Sequence, residues 1–490
     1  MDVRRKIERA FRQMGAPVLC VSLGVAGAAS PLLAQNANPS SAANPFFGSV
    51  TAQPRTDDTL KLSLDEAVRR GLQNNLGLRE SEDSEKTLQG QKNEALQEFL
   101  PTISVSGGIG YFEHDLAALG FGPSTIKDFG ALFPPGEPFP TIPAVTKNTL
   151  TQGQINYNQT LFSGPVIAGW RAAGAATRAA HFAKMSARGE VVQQVATAYL
   201  KALAAASEVD NATALAETDR VLYEQARASH EAGTIAKLDE VRARVQLQSQ
   251  QQVVIEAQNT LDKNLILLKR EIGVAPGQNL VLTDPSPYSD LATQTPEEVR
   301  AVAYQNRQDY QNQQNQVVED KAIHSAYRSE RWPTLSFSGN WGTQTVNGAG
   351  THGVFTAIGS LNFPIFREGS LRGNTEAAAA QVAGANAQLD DLRGRIDQQV
   401  RVALLDVSAA KQLVDVARSN VDLATRALSD ETDRVNAGVD DNLPLVTAQS
   451  TLAQAQTSLV ESLYQYNLSK VALARAAGIL EQQYRVYLGR

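Results

Sequence analysis

The chain has 490 residues, 42% of them hydrophobic and 20% charged, with a formal net charge of −6 and a single cysteine. The acidic balance argues against nucleic acid as a partner, and one cysteine rules out a disulfide framework. Five histidines, His114, His181, His230, His324 and His352, stand without ligand spacing, so no metal, no cofactor and no enzymatic reaction are expected.

In chain order, Arg4, Arg5, Lys6, Arg9 and Arg12 precede an apolar stretch from Ala16 to Leu33, the charged and hydrophobic regions of an export signal. Residues 1–34 are read as that signal peptide, with Ala29 or Ala34 before the cut. Cys20 lies within it behind Leu19, which is too large for a lipoprotein signal, so the mature chain is expected to carry no cysteine and no lipid anchor. Cleavage removes five basic and two acidic residues, taking the net charge from −6 to about −9. Residues 35–59, rich in Asn, Ser, Pro and Ala without periodicity, read as a flexible lead-in. No later segment reaches the ~18 to 20 continuous apolar residues of a spanning helix. If the chain crosses a membrane, it does so as strands.

A first repeat covers 60–279. Helical pattern starts near Leu64, and strands are expected at 102–112 and 150–163. In the first strand Ile103, Val105, Ile109 and Tyr111 alternate with Thr102, Ser104 and Ser106; in the second Ile155, Tyr157 and Leu161 alternate with Gln154, Asn156, Asn158 and Thr160. The segment between them, roughly 113–147, reads as a long proline-rich surface loop. Long helices follow at 166–229 and 235–272, the first about 96 Å long at 1.5 Å per residue, with a turn around Gly233.

After a linker or equatorial segment at 280–295, a second repeat at 296–480 restates the plan. Strands are expected at 334–342 and 354–366, with Leu335, Phe337 and Trp341, then Phe355, Leu361, Phe363 and Ile365, as their apolar sets. The segment from Gly348 to Gly353 matches a dinucleotide fingerprint letter for letter, but it lies between strands and opens no helix, so it is a hairpin loop. Helices follow at 369–436 and 443–477, then a tail at 481–490. Glu98–Gly107 returns as Glu330–Gly339, and Ala232–Leu238 returns as Ala437–Leu443. The second pair is more closely spaced than the first because the first repeat has the longer loop, and duplication organises the fold. Val192, Val195, Tyr199 and Ala202 in one copy and Val400, Leu404, Val407 and Ala410 in the other trace coiled-coil seams. One apolar and one uncharged polar face per strand is the pattern of an outer-membrane barrel; a half-solvated soluble sheet gives the same alternation, but four such strands in a duplicated, exported chain favour the barrel.

These features resemble the TolC-type outer-membrane efflux proteins. The resemblance rests on the duplicated helix-strand-strand-helix plan, the Leu62-Ser-Leu-Asp-Glu-Ala67 opening, the Pro101 and Pro333 strand entries, the Tyr157–Phe162 and Leu361–Phe366 strand ends and the Ala-Gly turns. It runs from about Leu60 to Leu480. It implies a mainly α chain with four strands contributed to a 12-stranded transmembrane barrel of a homotrimer in the outer membrane. The helices then form a tunnel into the periplasm, and cargo arrives from an inner-membrane pump through a periplasmic adaptor. On this reading Ile103, Val105, Tyr157, Leu335, Phe337, Leu361 and Phe363 face lipid.

The resemblance also places the adaptor-docking turns at 227–241 and 434–446, with Gly233 and Gly438 as the matching glycines. Leu238, Val241, Leu443 and Val446 then read as an apolar docking surface or as internal packing. Some members of the family carry aspartates six and nine residues after the second glycine, and here those positions are Pro444 and Thr447. Asp239, Asp440 and Asp441 are the remaining aperture candidates, because threefold symmetry would crowd their carboxylates; aspartates in a turn also serve as solvated groups or helix caps. The rival reading is a non-conducting, envelope-spanning coiled-coil tether.

Overall fold

The computed structural model describes residues 40–50, 54–119, 145–285, 288–292, 294–437 and 442–489; the expected signal peptide and Gly438, Asp440 and Asp441 lie outside these. Among the described residues the order is β1 (Leu60–Leu62), α1 (Leu64–Asn74), α2 (Leu76–Gln97), β2 (Thr102–Asp115), β3 (Val145–Phe162), α3 (Gly164–Glu231) and α4 (Lys237–Ile272). The second copy gives β4 (Leu280–Leu282), α5 (Pro296–Asn306), α6 (Gln308–Ser329), β5 (Thr334–Val346), β6 (Thr351–Asn362), α7 (Glu368–Asn436), α8 (Asn442–Ala476) and α9 (Leu480–Tyr487).

Local chemistry explains where each helix begins. The Ser63 side chain accepts from Glu66 N at the start of α1, and Thr295, at the matching place in the second repeat, makes a full capping box with Glu298 before α5. Asn75 ends α1 and caps α2; Arg307 holds the equivalent break between α5 and α6. Ser163 caps α3 with Pro165 in the first turn, where a missing N–H costs nothing. No proline follows until Pro276, so α3 runs 68 residues, about 100 Å of helix. α7 runs 69.

The main core is a girdle around the middle of the long helices. Val191, Val192, Val195 and Tyr199 of α3 pack with Leu268 and Ile272 of α4, Ile396 and Val400 of α7, and Val471 and Leu473 of α8. Leu62 and Leu64 enter from β1 and α1.

This girdle gives structure to two expected segments and corrects a third. The linker at 280–295 contains β4, which pairs in parallel with β1 from Leu60↔Leu280 to Leu62↔Leu282; so short a strand cannot show alternation. The tail at 481–490 begins within α9, whose Leu480, Tyr484 and Tyr487 are buried with Leu488 after it. That is i, i+4, i+7, i+8 spacing, and the Tyr484 hydroxyl lies 2.7 Å from Asp65 Oδ1. The lead-in at 35–59 is packed where described: Pro45–Phe47 form a 3₁₀ turn, Asn75 Nδ2 donates to Phe46 O at 2.7 Å, and Phe46 lies so close to Gly77 that a Cβ there would sit 2.7 Å from its ring. Composition alone did not reveal that Gly77 makes room for this ring.

Lys470 and Glu271 are among the ionisable groups buried in this middle zone. Lys470 is fully buried, its Nζ donating to Ser289 O at 3.2 Å and lying 4.5 Å from the Tyr466 ring centroid; burial pushes it down to about 8. Glu271 is buried with Gln194 Nε2 at 3.5 Å from one oxygen and no partner among the described residues on the other; desolvation pushes it up to about 8. A carboxyl raised in the folded state stabilises fully below its unfolded value of 4.5 and loses that contribution as pH rises towards 8. Glu271→Gln, which cannot ionise, should therefore match the parent near pH 4.5 and exceed it by roughly 4 kcal/mol at pH 8. Denaturant unfolding across that range tests this, and a pH-independent difference would show that Glu271 titrates alike in the folded and unfolded chain.

Candidate functional site: an amphipathic sheet and two helical hairpins

The four long strands form one antiparallel sheet in the order β2-β3-β5-β6. Its register pairs Ile103 with Tyr157 and Val105 with Ile155, Ile155 with Trp341 and Gln159 with Phe337, and Leu335 with Leu361 and Trp341 with Phe355. Directly opposed residues share a face, so these side chains line one side of the sheet. Most are exposed, Val105 at 81% and Leu361 at 71%. Tyr157 and Phe337 meet edge to face, 5.8 Å between centroids.

The opposite face is uncharged and polar over much of its length. Asn156 Nδ2 donates to Ser106 Oγ at 2.9 Å, and Asn340 Nδ2 to Gln154 Oε1 at 2.8 Å. Among the described residues, β2 and β6 each have a neighbour on one side only, which leaves a row of unpaired backbone groups on each outer edge.

The strands are longer than the alternation suggested. β2 and β3 reach into the expected loop as far as Asp115↔Val145, and Glu113 and Lys147 make a 2.7 Å ion pair there. Charged, polar ends hide the continuation of a strand. Phe363 is the one residue expected to face lipid that falls outside a strand: β6 ends at Asn362, because Pro364 has no N–H to offer a ladder. The same holds for Ile365. A register shift between Thr160 and Phe162 likewise takes Leu161 out of strict alternation. The Gly348–Gly353 segment is a hairpin turn opening β6, with Asn347, Gly348 and Gly350 at positive φ.

Below the girdle, α3 packs against both α4 and α8, and α7 packs against α8. α4 and α7 are therefore the outer helices of this layer. Each carries exposed apolar side chains: Val245, Ile255 and Ile266 on α4, Leu405, Leu413, Val416 and Leu423 on α7.

The α3–α4 turn closes with a Schellman pair, Thr234 N to Ser229 O and Gly233 N to His230 O, both 2.9 Å. Gly233 has φ 78°, which a side chain would strain. Asp239, in the first turn of α4, lies 3.3 Å from Arg242 Nη1. Leu238 and Val241 are exposed. Val241, Val446 and Asp239 meet in one groove of about 590 Å³ between the α3–α4 and α7–α8 hairpins, and Leu238 is not part of its wall. The Leu443 side chain lies outside the described residues. Sequence reasoning missed the rest of the wall, including Leu222, Ile235, Val435 and Leu445, together with Asp219 and Gln449. Only the 3,4 spacing of Leu222, Ala226 and Ser229 hinted at it. Burial pushes the Asp219 carboxyl above the ordinary range, against a hydrogen bond from Gln246 that lowers it.

The profile of the family described as Outer membrane efflux protein matches residues 67–274 and 299–479. The chain is 22% identical to nodulation protein T of Rhizobium leguminosarum bv. trifolii over 334 residues, 66% of this chain and 70% of that protein. It is 21% identical to outer membrane protein TolC of Escherichia coli strain K12 over 359 residues, 68% and 70% of the two chains. Among solved structures, the Campylobacter jejuni CmeC outer membrane channel superposes with a TM-score of 0.69 at 16% identity, over 92% of this chain and 94% of that one. The two matched blocks coincide with the two repeats, and the chain belongs to the outer membrane efflux protein family, a family of outer-membrane transport channels rather than enzymes.

Proposed function

We propose that three copies of this chain assemble into a passive duct, with a 12-stranded barrel in the outer membrane and a helical tunnel in the periplasm. An inner-membrane pump would deliver small molecules or polypeptides to it through a periplasmic adaptor docked at the turns around Gly233 and Gly438. The observation that carries this reading is the sheet, apolar on one face, polar on the other and open at both edges. Four strands cannot close a barrel, since outer-membrane barrels begin at about eight, and open edges do not persist in hydrocarbon. β2 and β6 run antiparallel, so head-to-tail addition of a second copy continues the same ladder and a closed ring removes every edge.

The helices support the same closure. The apolar stripes of α4 and α7 lie on opposite sides of the layer, so α7 of one copy meets α4 of the next. Counted along the sequence, Ile255 lies as far after Gly233 as Val416 lies before Gly438, and Ile266 and Leu405 are likewise equidistant from the same glycines. Counted from the helix ends at Lys237 and Asn436, the members of each pair differ by two residues, about 3 Å of rise and less than one helical turn.

Two experiments test assembly. Ile255→Cys combined with Val416→Cys should give disulfide-linked trimers under oxidation, with no product from either single variant. Cross-linking by Ile255→Cys alone would indicate a twofold contact and contradict head-to-tail closure. On the sheet, Ile103→Arg or Leu361→Arg should each cost membrane assembly about 2–4 kcal/mol if near the bilayer midplane, whereas Ser104→Arg should be tolerated. Equal losses at Ile103 and Ser104 in heat-modifiability assays would reverse the assignment of faces.

A further inference from the structure

The groove between the two hairpins contains two buried polar side chains that the fold leaves without adequate partners. Gln449 is 3% exposed, and among the described residues neither its amide nitrogen nor its amide oxygen has a hydrogen-bond partner. Asp219 is 5% exposed and is met only by Gln246 Nε2 at 3.5 Å, with no cation beside it among the described residues. Both line the same groove. Its other charges answer each other, Arg242 being held by Asp239 at 3.3 Å. α7 contributes Thr432 and Val435, and α8 contributes Leu445, Val446 and Gln449, all uncharged.

A buried carboxylate without a cation and a buried amide unpaired at both ends are each unfavourable in an empty groove. One occupant satisfies both. A secondary ammonium has two N–H donors, one for the Asp219 carboxylate and one for the Gln449 amide oxygen. A neighbouring hydroxyl or ether oxygen accepts from the Gln449 amide N–H. An aromatic body then covers the aliphatic wall of Leu222, Ile235, Val435 and Leu445, which is the usual division of labour in a small-molecule pocket.

We propose that this groove is a binding site for amphipathic amines that carry a hydroxyl or ether oxygen close to the ammonium. The ligand bridges the α3–α4 hairpin to α8. Its positive charge favours ionised Asp219, so affinity falls as acid protonates that carboxyl. Asp239 is the other carboxylate in the wall and already has its cation in Arg242. The inference draws on the groove alone and stands independently of the channel reading.

The test uses the full-length protein purified in detergent at pH 7.5, with propranolol as probe and its neutral counterpart 3-(1-naphthyloxy)propane-1,2-diol as control. Both are followed by naphthyl fluorescence and calorimetry. Propranolol should bind saturably and at least tenfold more tightly than the diol. Asp219→Asn should abolish that preference, Gln449→Leu should weaken propranolol about tenfold, and Leu222→Trp, which fills the groove from its apolar wall, should block both probes. Equal affinity for the two probes, an unchanged preference in folded Asp219→Asn, or uptake unaffected by Leu222→Trp, as micelle partitioning would give, overturns the proposal. If Asp219→Asn does not fold, the probe pair on the parent protein and on Leu222→Trp decides the matter.

Discussion

Backbone amides and carbonyls placed in hydrocarbon have no water to bond, so a strand in a membrane needs a partner on each side. The rest of the molecule follows from that requirement. Each repeat contributes a strand pair, and the two pairs join where β3 meets β5, one strand from each repeat. The join satisfies the inner edges and leaves β2 and β6 exposed. In the proposed assembly further copies supply strand of the same register and twist, so that duplication inside the chain and repetition between chains belong to one design.

The helices carry the same logic away from the membrane. α3 and α7 leave the sheet and run without interruption to the turns, so strand positions and turn positions are linked through two rigid rods. Their seams are rich in alanine, from Ala172 and Ala175 to Ala410 and Ala417, which lets the rods approach closely while burying little apolar area per residue. The larger apolar side chains gather at the girdle, where β1, β4, α1, α5 and α9 wrap the rods. The hairpins beyond it have only small clusters such as Ala424, Leu452 and Ala455. Local opening costs least where burial is least, so the described α3–α4 turn is better suited to changing shape than the girdle.

Much of the fold was legible before any coordinates, because its signals are long. Sustained alternation in the strands, helices without proline and a repeat that restates a whole helix-strand-strand-helix unit all exceed what chance supplies. Short elements were lost for the opposite reason. β4 has three residues, α9 has eight, and the 3₁₀ turn at Pro45 draws its order from Asn75 and Gly77, well beyond its own stretch of chain. Phe363 alternates like a strand residue, but Pro364 ends the strand before it. The groove was the least legible feature, since Asp219 and Gln449 come from opposite halves of the chain and share a wall only once both hairpins have formed. Val241 and Val446 stand out because matched positions in a repeat invite comparison; Leu222 and Val435 have no such marker.

Single-channel recording in planar bilayers tests the central claim most directly, because a duct and a tether differ in whether ions pass. The account predicts that the purified mature protein inserts from one side and gives discrete, long-lived conductance steps, with cation preference from its acidic balance. Protein that assembles normally in the bilayer yet gives no conductance under either polarity would contradict it and leave the coiled-coil tether as the function of this chain.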